Sequence, residues 1–303
     1  MKTKHVLSIA DIEPYETEKL LDTALRMKKA TAPQVLSGKA IALLFEKPSL
    51  RTRVSFEIAI QQLGGYCLYL SPAEIGLGKR EPVHDVAKVL GRYVNGIIAR
   101  TFAQHTLQSL ADYSGVPVIN ALSDREHPCQ ALADMLTIRE KKGGYRDIVL
   151  AYIGDGNNVA HSLMLAATQL GTHFRIACPS GYEVEKEILE MAETYAAASG
   201  STIVTTTDPR QAARDADVLY TDVWTSMGQE NEAEERRKIF SGYRVDIDLL
   251  SIAKSNVIFM HPLPAHNGEE ISEGLVNDPR SVVFDQAENR LHLQRALLAE
   301  LFG

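Results

Sequence analysis

The stretch that decides the fold is Phe45-Glu46-Lys47-Pro48-Ser49-Leu50-Arg51-Thr52-Arg53. An apolar run from Ala40 leads into it and predicts a buried strand. A helical pattern starts inside it, with Val54, Ile58 and Leu63 expected on the inward side, and stops at Gly64-Gly65. The loop therefore sits at a helix N-terminus, where unbonded backbone N–H groups favour an anion. Ser49 and Thr52 add hydroxyl donors. Arg51 and Arg53 add planar cations suited to bidentate contact with phosphate oxygens. A capped helix with two solvated arginines is the plain alternative. Crowding both hydroxyls and both cations into one strand-to-helix turn favours phosphate binding.

Working outward through the first half, helices are expected over Glu16–Lys29, Val83–Val94 and Gln104–Tyr113, and from Pro128 to Lys142. Strands are expected at Tyr66–Leu70, Gly96–Ala99 and Val116–Asn120. The Gly- and Pro-rich stretch from Ser71 to Pro82 reads as an exposed loop whose Lys79 and Arg80 are available to an anion site, here or on a neighbouring subunit. Arg100 stands at the carboxyl end of a strand, where open α/β sheets bind ligands. His127 and Gln130 flank the first turn of the helix opened by Pro128; taken alone, they read equally as a cap pair.

Lys141-Lys142-Gly143-Gly144 reads as a connector, after which the alternation restarts. Strands are expected at Ile148–Ile153, Phe174–Cys178, Ser201–Thr206, Val218–Tyr220, Val257–Met260 and Val282–Phe284. Helices are expected over Val159–Leu170, Glu183–Ala198 and Gln286–Leu301. Gly154-Asp155-Gly156-Asn157-Asn158 follows a strand and opens a helix, as in a dinucleotide fold, but the third glycine of that fingerprint is missing. A nicotinamide-dependent oxidoreductase stays a secondary reading. Asp222 ends another strand, and the charged run Glu230–Lys238 reads as a solvated helix face. His261-Pro262-Leu263-Pro264 reads as a rigid bend. The sum is an α/β protein of two doubly wound parallel-sheet domains with the active-site cleft between them. The expected domains are residues 1–140 and 141–285, with the terminal helix, 286–303, packing back on the first.

Bulk properties narrow the function. The 303 residues suffice for two full cores. A net charge of −7 argues against a nucleic-acid partner and leaves an anionic substrate dependent on a local basic pocket. No run approaches the roughly 20 apolar residues of a membrane span. Cys67, Cys129 and Cys178 lie far apart, with neither zinc spacing nor a secreted disulfide framework. The expectation is cytoplasmic, with no membrane partner.

Five segments, in order, resemble the aspartate/ornithine transcarbamylase family. They are Ser49-Leu50-Arg51-Thr52-Arg53, Arg100, His127-Pro128-Cys129-Gln130, Asp222-Val223-Trp224-Thr225-Ser226-Met227-Gly228, and His261-Pro262-Leu263-Pro264. The likeness spans essentially the whole chain and points to the ornithine-using branch. It implies carbamoyl transfer from carbamoyl phosphate to the side-chain amine of L-ornithine in arginine metabolism. It also implies a homotrimer with shared sites, no metal, no organic cofactor and no covalent intermediate. By the resemblance, Ser49, Leu50, Arg51, Thr52, Arg100 and Arg290 hold the phosphate side, while His127 and Gln130 address the carbamoyl group. Thr52, Arg100 and His127 are the catalytic set. Pro262 and Leu263 contact the substrates, and Asn158, Asp222, Ser226 and Met227 hold ornithine.

Three positions depart from the family pattern. Leu50 stands where Thr or Met is common. Gly76 stands where a Gln usually reaches into the adjoining subunit. Pro262 stands where ornithine enzymes carry Cys; His-Pro-Leu-Pro is typical of the aspartate branch, which makes aspartate or another amine the alternative acceptor. A non-catalytic relative that keeps the fold is a further alternative. The 225–240 stretch, glycine-hinged and charged, is expected to be open or disordered without acceptor and to close over it.

Overall fold

Two parallel sheets, built one after the other along the chain, organise the protein. In the first part, helix α1 (Pro14–Lys29) precedes β1 (Ala40–Phe45), α2 (Leu50–Gln62), β2 (Tyr66–Leu70), α3 (Pro72–Ile75), α4 (Val83–Tyr93), β3 (Gly96–Arg100), α5 (Gln104–Ser114), β4 (Val118–Leu122) and α6 (Pro128–Lys142). The second part holds β5 (Val149–Ile153), α7 (Asn158–Gln169), β6 (His173–Ala177), α8 (Lys186–Ser199), β7 (Ile203–Thr206), α9 (Pro209–Ala213), β8 (Val218–Tyr220), α10 (Ala233–Ile239), α11 (Ile247–Ser251), β9 (Ile258–Met260) and α12 (Val283–Phe302). The structure, a computed structural model, describes all residues but Gly78, Lys79, Met227 and Gly228, and all of their side chains but those of Glu74 and Glu230. Chain contacts divide it into one unit of Met1–Leu136 with Glu288–Gly303 and a second of Thr137–Ala287.

Strand order locates the reactive ends. The first sheet runs β2-β1-β3-β4 and the second β7-β6-β5-β8-β9, with parallel pairing throughout. From β1 the chain moves to β2 on one side; from β3 it moves to β4 on the other. The carboxyl ends of neighbouring β1 and β3 are thus a topological switch point, where loops diverge and leave a crevice for a ligand. The second sheet repeats the device at β5 and β8. The loops after β1, β5 and β8 carry Ser49, residues 154–157 and Asp222, and Arg100 is the last residue of β3 itself.

In the first unit, Ala42, Leu44, Ile97 and Ala99 pack with Val86, Leu107 and Leu110 from α4 and α5. In the second, Ala151, Ile153, Leu219 and Phe259 pack with Ala212, Leu249 and Leu250. The last helix belongs to the first core at its distal end. Glu300 accepts from Thr23 at 3.0 Å and from Lys19 at 2.6 Å, and Arg295 donates to the Met27 carbonyl and to Gln62.

Four expectations need correction. The buried face of α2 is Thr52, Phe56, Ala59 and Ile60, not Val54 and Ile58, which are exposed. The helix has apolar residues on both flanks, and the flank with Phe56, whose burial contributes about 1.5–3 kcal/mol, goes inward. The 71–82 stretch is not wholly an exposed loop: α3 forms within it, and Ile75 and Leu77 join the core. The expected strand at Val282–Phe284 is the start of α12, with only a bridge from Ser281 to Phe259. Adjacent β-branched residues suggested a strand, and packing of the helix overrode that preference. Finally, the Glu230–Lys238 run is not simply a solvated face, because Arg236 on α10 is only 3% exposed.

Candidate active site

In the first unit, Ser49 is the N-cap of α2; its hydroxyl lies 3.0 Å from that of Thr52 and accepts from the Thr52 N–H at 3.4 Å. Thr52 points inward and is fully buried. Arg290, on α12 and also buried, donates to the Thr52 hydroxyl at 2.7 Å. Arg100 ends β3 beside Phe45, its register partner at the end of β1. The Arg100 Nε is buried, with no hydrogen-bond partner among the described residues. Burial, then the charges of Arg290 and Arg51, lower the Arg100 pKa to about 10, which leaves it protonated at neutral pH. Burial also lowers the pKa of Arg51.

His127 and Gln130 sit at the mouth of α6. His127 is buried, and burial, then Arg290 and Arg100, hold its pKa well below the usual imidazole range. The ring is therefore neutral, with one N–H to donate. Gln130 gives its amide N–H to Asp134 at 2.8 Å, while its buried Oε1 has no hydrogen-bond partner among the described residues. That oxygen can accept from an amide NH₂. Two expected residues are not part of this cluster by their side chains. Arg53 turns along α2 to Glu57 at 2.8 Å and lies 3.8 Å over the Tyr69 ring, and the Leu50 side chain is 76% exposed.

In the second unit, Asp222 follows β8 and is nearly buried. Its carboxylate accepts from Asn157 Nδ2 at 2.9 Å and from the Val223 N–H at 2.8 Å. Burial raises its pKa, partly offset by His261, Asn157 and the Val223 N–H. Asn157 also caps α7, accepting from the N–H groups of Val159 and Ala160 at 3.0 and 3.1 Å. Asn158, the expected ligand, is the first residue of α7. Sequence reasoning missed Asn157. The available signal was its preference as an N-cap after a strand. Ser226 is half-buried, with its N–H donating to Gln229 Oε1 at 3.0 Å. Met227 lies outside the described residues, as does Lys79.

The 261–264 turn closes this cluster. Leu263 has φ +54° and precedes a cis bond to Pro264. His261 Nδ1 accepts from the Leu263 N–H at 2.9 Å, so the ring proton belongs on Nε2, 3.2 Å from Glu270 Oε1. Burial would raise the Glu270 pKa, but hydrogen bonds from His261 and the His266 N–H outweigh it and hold the group ionised. His266, Glu269 and Glu270 come close enough to suggest a metal site. Both carboxylates already face other groups, Glu269 paired to Arg237 at 3.0 Å and Glu270 Oε1 3.2 Å from His261 Nε2. Gly156 does not open space for a pyrophosphate. A Cβ there would lie 2.4 Å from the Val184 N and 2.7 Å from the Tyr182 carbonyl oxygen, so the glycine serves backbone packing.

Fold and site define a class: a two-unit parallel α/β protein with a cationic, hydroxyl-bearing switch point in one unit and an acidic one in the other. Models of the aspartate/ornithine carbamoyltransferase family match both parts, the carbamoyl-P binding domain over residues 4–140 and the Asp/Orn binding domain over residues 146–301. The chain belongs to that family. It is 53% identical to an ornithine carbamoyltransferase of Thermococcus kodakarensis, over 99% of this chain and 96% of that one. Its structure is similar to that of the Pyrococcus furiosus ornithine carbamoyltransferase, with a TM-score of 0.95 and 50% identity over 98% of this chain and 96% of the other. An anabolic ornithine carbamoyltransferase from Campylobacter jejuni gives the same TM-score at 40% identity, covering 99% of each chain.

Proposed function

We propose that this chain transfers the carbamoyl group of carbamoyl phosphate to the side-chain amine of L-ornithine, giving citrulline and phosphate in arginine synthesis. The observation that carries the reading is the opposite charge of the two switch points: arginines at the first, a buried carboxylate at the second. Residues 1–140 with 286–303 take the donor, and residues 141–285 the acceptor.

Ser49, Thr52, Arg51, Arg100 and Arg290, with the backbone N–H groups opening α2 at Leu50, bind the dianion. The acceptor amine attacks the carbamoyl carbon, an oxyanion develops, and the C–O bond to phosphate breaks, the phosphate taking the proton that the amine gives up. Thr52, Arg100 and neutral His127 donate to the growing oxyanion, and Gln130 Oε1 accepts from the carbamoyl NH₂. No nucleophilic side chain is needed; positioning and charge stabilisation supply the rate.

On the acceptor side, Asp222, with Asn158, Ser226 and Met227, holds the α-amino end. A free alkylamine has a pKa near about 10.4, so the attacking amine must be held neutral. Desolvation favours that form, and the carbonyls of Pro262 and Leu263 can accept its hydrogens. Because main-chain oxygens do this, Pro262 in place of Cys leaves transfer intact and alters the pH profile.

Aspartate would need cations for its second carboxylate. Arg236 is committed to Asp155 and Arg237 to Glu269, which favours ornithine. The assembly is a cytoplasmic homotrimer. Exposed Val54 and Ile58 on α2, with Tyr66 and Leu68 on edge strand β2, offer apolar surface for a neighbouring copy. Among the described residues no helix is long and apolar enough to cross a membrane.

The test is an acceptor panel of ornithine, aspartate, putrescine and N-acetylornithine with carbamoyl phosphate at pH 6 to 10, scored by phosphate release and product mass. Ornithine alone should turn over well. Carbamoyl aspartate as the main product, or no turnover of any amine, rejects the reading. Light scattering of the same sample at three times the chain mass supports the trimer.

A further inference from the structure

Arg236 is a residue whose position the sequence did not disclose. It sits on α10, downstream of the Asp222 loop, and is buried to 3% exposure. Its Nε donates to the main-chain carbonyl of Trp224 at 2.5 Å. Its Nη2 donates to the carboxylate of Asp155, in the loop after β5. The guanidinium carbon lies 4.9 Å from the Tyr182 ring centroid and 5.3 Å from that of Phe240. Its remaining ion pair, to mostly exposed Glu232 at 3.6 Å, adds little. One side chain thus touches both loops of the second switch point.

Asp222, buried, and Asp155, with a side chain only 12% exposed, stand at neighbouring strand ends, and the charge of Asp222 helps to raise the Asp155 pKa. Asn157 joins them: its N–H reaches the Asp155 carbonyl oxygen at 2.8 Å, and its side chain donates to Asp222. We propose that Arg236 is a positioning residue for the acceptor: by neutralising Asp155 and tying the two loops together, it leaves Asp222 as the single carboxylate presented to the acceptor's α-ammonium. This deepens the ornithine reading and rests on it.

The role needs a guanidinium. A fork reaches the Trp224 carbonyl and the Asp155 carboxylate at once, and its carbon lies over the Tyr182 and Phe240 rings. An ammonium does neither as well. Burial already lifts the Asp155 pKa to about 6 despite Arg236, so without the cation this loop would hold a largely buried acid that is either charged and unpaired or protonated, and in neither state matched to its surroundings.

The test is steady-state kinetics of the purified full chain with carbamoyl phosphate and ornithine. Arg236→Gln should raise the ornithine KM about tenfold or more while the carbamoyl phosphate KM stays within about twofold. Adding Asp155→Asn should recover most of that rise, because an Asn–Gln pair can hydrogen-bond without a stranded charge. A role in folding alone would move both KM values or neither and give no rescue. Arg236→Lys, which keeps the charge and preserves folding should the Gln variant lose it, should raise the ornithine KM about threefold. An unchanged ornithine KM in the Lys and Gln variants, parallel changes in both KM values, or failure of the double variant to recover overturns the proposal. Loss of ornithine turnover in the unmodified chain instead rejects the function on which it stands.

Discussion

The two switch points share one topology and differ in how their charge is balanced. At the first, Arg290 and Arg100 help burial to keep His127 neutral, and Arg290 and Arg51 help burial to lower the pKa of Arg100. At the second, Asp155 pairs with Arg236, Asp222 accepts from Asn157, and Glu270 lies against His261. A self-repelling cationic cluster is relieved when a dianion arrives, so ligand binding supplies its missing counter-charge. A nearly balanced acidic cluster leaves room for about one ammonium. The same strand-end geometry can therefore serve opposite ligands, and the side chains on the diverging loops choose the sign.

The comparison breaks most readily at Arg100. Arg100→Leu removes the proposed oxyanion donor and a buried cation together. It should lower kcat about 100- to 1000-fold, or about 2.7–4 kcal/mol in barrier, in a phosphate-release assay. A near-normal kcat would mean that the cationic cluster lies away from the chemistry. Next in size is Asp222→Asn. It should raise the ornithine KM about 30-fold, or about 2 kcal/mol, with the donor KM nearly unchanged. Equal damage to both constants would deny the division of labour.

A smaller effect concerns stability. The His127 pKa is lowered in the folded chain, so below the ordinary imidazole value near 6.5 the unfolded chain binds a proton that the folded chain refuses. This group contributes no penalty above that pH and destabilises the fold as pH falls through it, by at most about 1.4 kcal/mol per pH unit. His127→Gln should therefore lose less Tm than the parent between pH 7.5 and 5. An equal or larger drop would mean that the ring is not held neutral. The smallest effect is expected at Pro262. Pro262→Cys should change kcat with ornithine at its optimum pH by no more than about threefold, under 1 kcal/mol, because the turn's carbonyls act in both. A much larger gain would assign the thiol a direct role.

Much of this was legible before any coordinates. The strand at Ala40–Phe45, the cap at Ser49 and the buried strand ending at Arg100 follow from local pattern, because β1 and β3 are covered on both faces and read as continuous apolar runs. Strand order was not legible, since it depends on which crossover packs where, yet it is what defines the switch points. The inward face of α2 misled because Val54 and Ile58 are as apolar as the residues opposite them. Arg236 misled for another reason. It sits among six neighbouring charges in the Glu230–Lys238 run, and only tertiary contact separates it from Arg237, which is exposed and pairs with Glu269. Asn157 was hidden by its neighbour Asn158, which has the same chemistry one residue on. Only the cap geometry tells them apart.

The most direct measurement is a crystal structure with phosphonoacetamide, a stable analogue of carbamoyl phosphate, and ornithine. The account predicts the phosphonate within hydrogen-bond distance of the Ser49 and Thr52 hydroxyls and the Arg51 and Arg100 guanidiniums, the analogue's carbonyl oxygen on Arg100 and His127, and the α-ammonium on Asp222. A phosphonate bound elsewhere, with those hydroxyl and guanidinium groups turned from it, would contradict the account.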